Sequence, residues 1–587
     1  MTDIVDKYRR LECRLPDTNL AWRMKEAGVE NFGKAGKPDE LPMPMPKCDE
    51  VLLRVDAIGL CFSDVKLITQ GSNHPRITGR DLANKPVIPG HEVSLTVVEA
   101  GDDWKETYKP GDRFIVQADV YFHGVNMAFG YQLAGGMQQY VLVGEPVLRG
   151  DEGSYLIPVR SNIGYAEAAL VEPWTCVVAA YRINPRKHVK SDGNTLIVGT
   201  GHGSFAIDGA ICAGGPPRKL VLSGVSEAVK STICRCEGRQ AEIIEIDRLK
   251  PEAVKPLVQE RTGAKGFDDI ILLGTPDADL VEALGTALAK NGVMAIIAGE
   301  PISRPVRVDI GRVHYDYIDY IGTNTGRVAD AYARSRSSEL TPGGTAWFVG
   351  AAGPMGQMHA HRAARMKNGP KKILCTDVDT QRLEYLGAGV QEAMDENGIE
   401  VVFLNPIEAG DDALTQAISE LTGGKGFDDI VVLAPVAGLI QDAVKHLAEG
   451  GLLNIFAGIP RGTIADIDLS ATFMKGNRFV GSSGSRPQDM VDTLRFTESG
   501  ELPAHNSVAA VGGIDAAAEG VRAVKEARFP GKVVIFPHIM MPLTALPDIK
   551  DAMLNVHAAL KDGTFWTNEA EEELLRAKLP CCGKRKP

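Results

Sequence analysis

A twelve-residue segment occurs twice in this chain, and the repeat limits the possible folds more than any other feature. Residues 262–273 read TGAKGFDDIILL and residues 422–433 read TGGKGFDDIVVL, with nine of twelve positions identical. In each copy a glycine-rich turn after an apolar strand precedes the segment, and further apolar strands follow it. Strands that alternate with helical segments predict parallel sheets. We therefore predict two doubly wound α/β units in tandem, at residues 187–330 and 338–490.

The segments that flank these two units have a different pattern. Residues 40–160 contain short strands broken by Gly and Pro, and residues 50–58 and 93–100 alternate between apolar and polar side chains. Such alternation is typical of half-buried strands, so we predict an antiparallel, barrel-like domain within residues 1–186. Residues 491–587 read as a strand–helix–strand return to that domain, followed by a helical tail.

Length, charge and cysteine spacing argue against several classes of protein. A chain of 587 residues is too long for one core. The formal net charge of −12 argues against a nucleic-acid or anionic-membrane partner. No run of about 18 apolar residues is present, so no membrane span is expected. The start lacks the apolar stretch of a signal peptide. The ten cysteines are irregularly spaced, so we expect no disulfide framework, ordinary thiols in the pairs at 234 and 236 and at 581 and 582, and a reducing cytoplasm.

Metal-binding chemistry is indicated by three motifs in the predicted barrel domain. Cys61 lies in Gly-Leu-Cys-Phe-Ser-Asp, His91 and Glu92 lie in Gly-His-Glu thirty residues later, and Glu172 lies in Val-Glu-Pro. A thiolate, an imidazole and a carboxylate suit a tetrahedral zinc ion that keeps one position for water or substrate. Their combination just ahead of a nucleotide-type fold predicts one catalytic zinc site.

These motifs, in this order, resemble the zinc-dependent medium-chain alcohol and polyol dehydrogenases. Within that superfamily the chain is similar to the reductases that act on L-sorbose 1-phosphate, as the segments at 85–101, 130–136, 168–181 and 541–549 show. The resemblance covers the chain outside the extra nucleotide unit. It implies an α/β fold: a GroES-like antiparallel β-barrel catalytic domain plus two tandem Rossmann units.

The resemblance also implies roles for the motif residues. Cys61 and His91 would be zinc ligands, Glu92 would bind the metal in some states of the cycle, and Glu172 would bind it directly or through water. Zinc would polarise the substrate oxygen, so that hydride can leave to a nicotinamide.

A proton relay and a second metal site belong to the same family pattern. Ser63 matches the hydroxyl that passes the alcohol proton towards solvent, but Lys66 stands where a histidine often completes the relay. The family's structural zinc needs four closely spaced cysteines, and none lies between His91 and Tyr140. We therefore expect one catalytic zinc and no structural zinc.

The glycine-rich turn of the second unit has the full pattern of a dinucleotide site. Asp377, an acidic residue, ends the next strand, about twenty residues after the last glycine of the turn. Its carboxylate would bind the ribose hydroxyls and favour NAD over NADP. The glycines allow the backbone to approach a pyrophosphate at a helix N-terminus. The turn reads Gly350-Ala-Ala-Gly353-Pro354-Met355-Gly356.

The first unit has a weaker pattern, Gly199-Thr-Gly201-His-Gly203-Ser, and Gly224 stands where the acid would be. Two interpretations remain open. Gly224, with Ser226 and Lys230 nearby, could admit the 2′-phosphate of NADP, or the unit no longer binds a nucleotide tightly and serves in packing. We favour the second unit as the cofactor site, although the Glu172 helix leads first into unit one.

The sequence therefore predicts a zinc-dependent oxidoreductase that transfers hydride between NAD or NADP and a secondary alcohol or ketone of a polyol, sugar or sugar phosphate. Alternatives are a nonenzymatic dinucleotide-sensing regulator and a zinc-free quinone reductase. Subunits of this superfamily associate through their nucleotide domains. A homodimer is one expectation; the other is that the two units pack together within the chain as a pseudo-dimer.

Overall fold

The computed structural model describes residues 3–77, 79–200, 203–207, 211, 213–237 and 241–580. The chain forms two compact units. One contains Met1–Val178 together with Gly484–Pro587, and the other contains Ala179–Ser483. We call them the discontinuous unit and the central unit. Their contents confirm the predicted α/β class.

The helices and strands follow in chain order. The first part contains α1 (Ile4–Arg9), β1 (Thr18–Ala21), β2 (Asp39–Pro42), β3 (Val51–Gly59), α2 (Phe62–Gln70), β4 (Glu92–Ala100), β5 (Arg113–Val116), β6 (Tyr121–Phe122), β7 (Val125–Asn126), β8 (Tyr140–Val143), α3 (Glu145–Leu148), β9 (Leu156–Val159), α4 (Tyr165–Ala169) and α5 (Val171–Ala180).

The middle part contains β10 (Asn194–Gly199), β11 (Lys219–Ser223), α6 (Glu227–Glu237), β12 (Glu242–Ile246), α7 (Val254–Thr262), β13 (Phe267–Leu273), α8 (Ala278–Thr286), β14 (Leu288–Ile297), β15 (Val306–Asp309), α9 (Ile310–Asp316), β16 (Asp319–Thr323), α10 (Val328–Arg334), β17 (Thr345–Val349), α11 (Pro354–Arg365), β18 (Lys372–Thr376), α12 (Thr380–Glu396), β19 (Glu400–Leu404), α13 (Pro406–Ala409), α14 (Asp411–Thr422), β20 (Phe427–Val432), α15 (Ala437–Lys445), β21 (Leu447–Ile455), β22 (Ile464–Ile467), α16 (Ser470–Met474) and β23 (Arg478–Gly481).

The last part contains α17 (Pro487–Glu498), β24 (Val508–Gly513), α18 (Ala517–Lys525), β25 (Lys532–Phe536), β26 (Thr544–Ala545), α19 (Ile549–Ala552), α20 (Leu554–Ala558) and α21 (Asn568–Lys578).

The discontinuous unit is built on a sheet of eight strands in the order β26-β24-β25-β3-β4-β5-β9, with β8 also paired to β3. Strands β3, β4, β5, β8 and β9 pair antiparallel, whereas β24 and β25 run parallel and are joined by α18. Strand β25 pairs antiparallel with β3, so the C-terminal segment completes the sheet that carries the N-terminal motifs.

The C-terminal tail of this unit caps the helices that follow β9. The Glu571 carboxylate accepts hydrogen bonds from the backbone N–H groups of Tyr165 (2.5 Å) and Ala166 (2.8 Å), and Asn568 accepts one from Gly164 (3.0 Å). The first N–H groups of a helix have no partner within the helix. Helix α21 therefore supplies the acceptors that α4 needs.

The central unit is built on one twelve-stranded sheet in the order β12-β11-β10-β13-β14-β16-β23-β21-β20-β17-β18-β19. The first six strands come from one repeat and the last six from the other. Within each half, the strands run parallel in the doubly wound order 3-2-1-4-5-6. We call these the first half and the second half.

The two halves meet at β16 and β23, which pair antiparallel, and β15 pairs antiparallel with β22 beside them. The contacts are reciprocal. A Cβ on Gly322 of β16 would lie 2.8 Å from Phe473 of α16, and one on Gly481 of β23 would lie 3.0 Å from His314 of α9. Each glycine therefore allows a helix of the other half to approach closely, as in a two-fold interface.

The Asp-Asp pair of the repeated segment has the same structural role in both halves. Asp269 accepts a hydrogen bond from Arg186 (2.7 Å), and Asp429 accepts one from Arg336 (2.6 Å). Each arginine also donates to the carbonyl oxygen of the preceding aspartate. These buried carboxylates bind the chain segment that enters each half. The repeat thus specifies the scaffold.

Two further observations concern membrane-spanning helices and the state of the cysteines. In the described residues, no helix is long and apolar enough to cross a membrane. Cys13 is disulfide-bonded, whereas Cys48, Cys61, Cys176 and Cys375 are free. Cys581 and Cys582 lie outside the described residues.

Candidate metal and cofactor sites

Three of the predicted ligands come together in the discontinuous unit. The Sγ of Cys61, a ring nitrogen of His91 and a carboxylate oxygen of Glu92 lie within 4.8 Å of one another. Cys61 follows β3 and caps α2, whereas Glu92 begins β4 and is paired in register with Gly59. The antiparallel pairing of β3 and β4 therefore brings the two motifs side by side. We call these three residues the metal cluster.

Gly59 leaves the space that Glu92 occupies. A Cβ at position 59 would lie 2.2 Å from Oε2 of Glu92 and 2.9 Å from Leu170. Contacts this short between nonbonded atoms are strongly repulsive. The glycine before Leu-Cys in the first motif therefore belongs to the site, although it is no ligand.

Asp64 joins the two ligand segments and was missed by the sequence reasoning. Its carboxylate accepts hydrogen bonds from the backbone N–H of Cys61 (3.0 Å) and of Gly90 (3.1 Å). Oδ1 of Asp64, the atom that accepts the hydrogen bond from Gly90, also lies 3.3 Å from Nδ1 of His91. Burial lowers the pKa of His91, but the Asp64 carboxylate outweighs it and holds that pKa well above its ordinary value. The available signal was the spacing of Asp64 three residues after a helix-capping position.

Lys532 neutralises one side of Glu92. Its Nζ lies 2.6 Å from Oε1 of Glu92, and both side chains are almost completely buried, at 5% and 0% exposure. The second oxygen, Oε2, is buried and has no hydrogen-bond partner within the part of the chain that the structure describes. A buried carboxylate oxygen without a partner is unfavourable unless a ligand satisfies it. The donor set and this orphaned oxygen fit a bound zinc ion.

Helix α5 brings two more groups to the site. Glu172 lies outside the 4.8 Å cluster, but burial and the nearby Glu92 carboxylate raise its pKa to about 7, against the positive charges of His91 and Lys532. Cys176 lies one helical turn later, on the same face. Burial and the charges of Glu172 and Cys61 raise the pKa of its thiol.

Cys176 is therefore a free thiol close to the metal cluster, and the sequence reasoning missed it. The signal that could have identified it is its i,i+4 spacing from Glu172 on one helix. Ser63, the predicted proton carrier, is half-buried, and its backbone N–H lies 3.4 Å from Sγ of Cys61.

The loop around residue 130 covers the metal cluster on one side. The ring of Tyr131 lies 5.9 Å from that of His91, whereas Phe129 is buried in the apolar core. Tyr121 and Phe122 are half-buried, and His123 is exposed. Of these aromatic residues, Tyr131 is thus the one whose ring lies against a predicted ligand, at an angle of 42° to the His91 ring.

The second half of the central unit has a complete turn–helix geometry. Gly350 has a φ of +83°, and a Cβ on Gly356 would lie 2.4 Å from the carbonyl oxygen of Gly350. Gly353 caps α11, Pro354 is its first residue and Met355 follows, and nothing lies within 4 Å of a Cβ on Gly353. The helix N-terminus is therefore open to an anion.

Asp377 lies beside this turn. It directly follows β18, and its Oδ2 accepts a hydrogen bond from the backbone N–H of Ala352 at 2.9 Å. The carboxylate is half-buried. The side chain is thus held where the ribose of a dinucleotide lies in doubly wound folds.

The first half lacks the corresponding helix in the described residues between β10 and β11. Ala206 instead makes backbone hydrogen bonds with Gly326 and Val328, and Ile207 and Ile211 are buried in the core. The segment ends in Gly-Gly-Pro-Pro at 214–217, a composition that opposes a helix. Gly199 and Gly203 are described, but Gly201 lies outside the described residues.

The residues that could have bound a 2′-phosphate in the first half are already paired. Nζ of Lys230 lies 2.7 Å from Glu245 and 3.1 Å from Glu227. Gly224 has a φ of +60° and follows β11. Two carboxylates beside Lys230 disfavour a further anion at this point.

Two family models match the chain. The model described as the alcohol dehydrogenase GroES-like domain matches residues 47–148, which include the metal cluster. The model described as zinc-binding dehydrogenase matches residues 354–499, which lie mostly in the second half of the central unit. The predicted GroES-like domain is thereby confirmed.

Relatives extend these matches. L-sorbose 1-phosphate reductase of Klebsiella pneumoniae is 29% identical over 307 residues, covering 50% of this chain and 73% of the relative. Mannitol-1-phosphate 5-dehydrogenase of Aliivibrio fischeri is 22% identical over 544 residues, covering 91% and 93%. The structure of 2R,3R-butanediol dehydrogenase from Bacillus subtilis has a TM-score of 0.50 at 17% identity, covering 88% of this chain and 99% of that one, and shows likeness of fold alone.

Proposed function

We propose that this chain, a member of the medium-chain zinc-dependent dehydrogenase superfamily, interconverts a secondary alcohol and a ketone on a polyol, sugar or sugar phosphate. NAD or NADP would be the hydride carrier. The names of two relatives support this substrate class, because both act on phosphorylated sugars or polyols.

The observation that carries the proposal is the metal cluster. Cys61 precedes His91 by thirty residues, yet the ligand atoms of Cys61, His91 and Glu92 lie within 4.8 Å of one another. One oxygen of Glu92 is neutralised by Lys532 and the other is buried without a partner. This arrangement matches the donor set of a catalytic zinc site.

The residues around the substrate oxygen would have separate roles in binding the metal and transferring the proton. Cys61, His91 and Glu92 would hold the zinc, with Glu172 binding directly or through water. Bound zinc would supply Lewis acidity that makes the alcohol more acidic. Ser63 would accept the alcohol proton in oxidation and return it in reduction. Asp64, whose Oδ1 lies 3.3 Å from Nδ1 of His91, would orient that ring, as groups behind the ligands do in metal sites.

The second half of the central unit is the proposed cofactor site. Its open helix N-terminus at Gly353 and the tethered carboxylate of Asp377 support a bound pyrophosphate and ribose, and the acid favours NAD. The first half has no such helix in the described residues, and Lys230 is paired with two carboxylates. We assign the first half a packing role.

The same structure supports a proposal about assembly. Strands β16 and β23 pair within one chain, and the contacts of Gly322 and Gly481 are reciprocal. Subunits of the superfamily associate through their nucleotide domains. The two halves would therefore reproduce within one chain the contact that otherwise joins two subunits.

The alternatives have less support. A regulator that only senses a dinucleotide has no need of a cysteine, a histidine and a glutamate brought together as metal ligands, and neither has a zinc-free quinone reductase. Loss of Cys61 or His91 would have favoured either alternative, but both residues are present and lie together.

The test is metal analysis of the purified protein followed by assays of polyols, sugars and their phosphates with NAD and with NADP. We expect bound zinc, zinc-dependent turnover and loss of both in Cys61→Ser. Cys48→Ser is the matched control, because Cys48 is an exposed free thiol. Absence of zinc, together with full turnover by Cys61→Ser, would refute the proposal.

A further inference from the structure

One cationic side chain, Arg76, contacts the same aromatic ring as the predicted metal ligand His91. The guanidinium of Arg76 lies 4.8 Å from the centre of the Tyr131 ring. The same ring lies 5.9 Å from that of His91 and 5.4 Å from that of His74. The Tyr131 ring therefore contacts the Arg76 guanidinium, the predicted metal ligand His91 and His74.

Arg76 is anchored but still reaches solvent. One of its guanidinium nitrogens lies 2.9 Å from Oδ1 of Asp119, and its side chain is 41% exposed. Burial lowers the pKa of Arg76, but the Asp119 charge outweighs burial and raises it, so the guanidinium stays charged. Within the described residues, the other guanidinium nitrogens of Arg76 make no hydrogen bond to a side chain or a carbonyl oxygen.

Lys66 supplies a second positive charge. It lies on α2, three residues after Ser63, and no carboxylate of the described chain pairs with its Nζ, which lies 5.6 Å from the ring of Phe62. Burial, then Arg76 and then Lys66 lower the pKa of His74 to about 4. Both cations are thus close to one imidazole that stays neutral.

Not every cation in this region is free for a ligand. Arg80 donates to the backbone carbonyl oxygens of Lys85, Pro86, Tyr131 and Gln132 at 2.8–3.1 Å. Its donors hold the loop that carries Tyr131. Arg80 is therefore structural, which distinguishes it from Lys66 and Arg76.

We infer that Lys66 and Arg76 bind the phosphate group of the substrate, so that the substrate is a phosphorylated sugar or polyol with its reacting carbon at the metal cluster. Lysine provides a compact charge and arginine a planar fork that matches phosphate oxygens. An unphosphorylated sugar would leave Lys66 without an anionic partner. This inference rests on the proposed function, since it concerns the same site.

The experiment compares Lys66→Met and Arg76→Met with the unaltered enzyme. The measured quantity is the ratio of kcat/KM for a ketose 1-phosphate to kcat/KM for the free ketose. Each substitution is expected to lower this ratio by about tenfold to a hundredfold, the effect of losing a charged hydrogen bond. Lys105→Met is the control, because Lys105 is an exposed residue paired with Asp102.

A second arm measures binding alone, by calorimetric titration of the zinc-loaded enzyme with inorganic phosphate and with the ketose 1-phosphate. Weakened binding of both in the two variants supports the inference, even if no polyol is turned over and the proposed function therefore fails. Turnover without preference for the phosphorylated substrate overturns the inference and leaves the function intact. A raised KM for the nicotinamide cofactor alone also overturns it, because the cations would then serve the pyrophosphate.

Discussion

Single residues around the metal cluster show how far the sequence could lead. Cys61, His91 and Glu92 could be predicted because each lies in a short motif of recognisable ligand type. Lys532 could not, because it lies 440 residues from Glu92 and meets it only through the pairing of β25 with β3. Its sequence context, the start of an apolar strand, carries no sign of a charged partner.

Gly59→Ala should weaken zinc binding. The added Cβ would lie 2.2 Å from Oε2 of Glu92, so the carboxylate would have to move. Changes next to metal ligands typically lower metal affinity by about tenfold to a hundredfold. Competition with a chelator measures this affinity. The control is Gly144→Ala, whose Cβ would have its nearest neighbour at 3.9 Å; equal zinc affinity in the two variants would contradict the role given to Gly59.

Glu571 should make attachment of the tail depend on pH. Burial raises the pKa of its carboxyl from 4.5 to about 7, against the backbone N–H groups of Ala166 and Tyr165 and the charge of Arg113; Glu167 raises it further. A carboxyl with a raised folded-state pKa stabilises the folded state below its unfolded pKa, and this stabilisation is lost as the pH rises through 7. The free energy of unfolding that this carboxyl contributes at low pH and loses at high pH is about 3 kcal/mol at most.

We therefore expect slower hydrogen exchange in α21 at pH 5.5 than at pH 8, after correction for intrinsic rates. Glu571→Gln should remove most of this difference, because the amide does not titrate. Protection that increases from pH 5.5 to pH 8 in the unaltered protein would contradict the assignment.

At the scale of elements, the strands of the central unit could be predicted from the sequence. The absence of a helix from the described residues between β10 and β11 could not. The segments FDDIILL and FDDIVVL read as buried parallel strands and are so. The glycine pattern at 199–203 resembles one that opens a helix, yet no helix occupies the described residues up to β11. Burial of Ile207 and Ile211 and the Gly-Gly-Pro-Pro run outweigh the turn signal there.

The aspartates of the repeat are predicted to be structural. Asp429 is 1% exposed and binds Arg336. Its replacement by alanine would remove the carboxylate partner of the half-buried Arg336, which costs about 1–3 kcal/mol of stability. Denaturant unfolding measures the change. Asp102→Ala, which breaks only an exposed ion pair with Lys105, should cost about 0–1 kcal/mol; similar losses in both variants would show that Asp429 has no special role.

At the scale of the whole molecule, duplication gives one chain two nucleotide-type halves, whereas the described residues contain a single metal cluster. The sequence predicted both halves from the repeat. It could not predict that they form one sheet, because β16 and β23 pair through edges that carry no sequence signal of their own.

The proposed pseudo-dimer predicts a monomer in solution. The sheet edges through which two subunits would associate are already paired within the chain, so no equivalent edge is left for a second copy. Light scattering coupled to size-exclusion chromatography should give a mass near 63.0 kDa. A stable species of twice that mass, joined through β16 or β23, would contradict this account.

The most direct test of one working cofactor site is the number of dinucleotides bound per chain, measured by NADH fluorescence titration. The account predicts one site, lost in Gly353→Val, where the new side chain meets open space in the protein and blocks the approach of the pyrophosphate. Lys230→Met in the first half should leave the titration unchanged. Two sites per chain, or full binding by Gly353→Val together with loss in Lys230→Met, would contradict it.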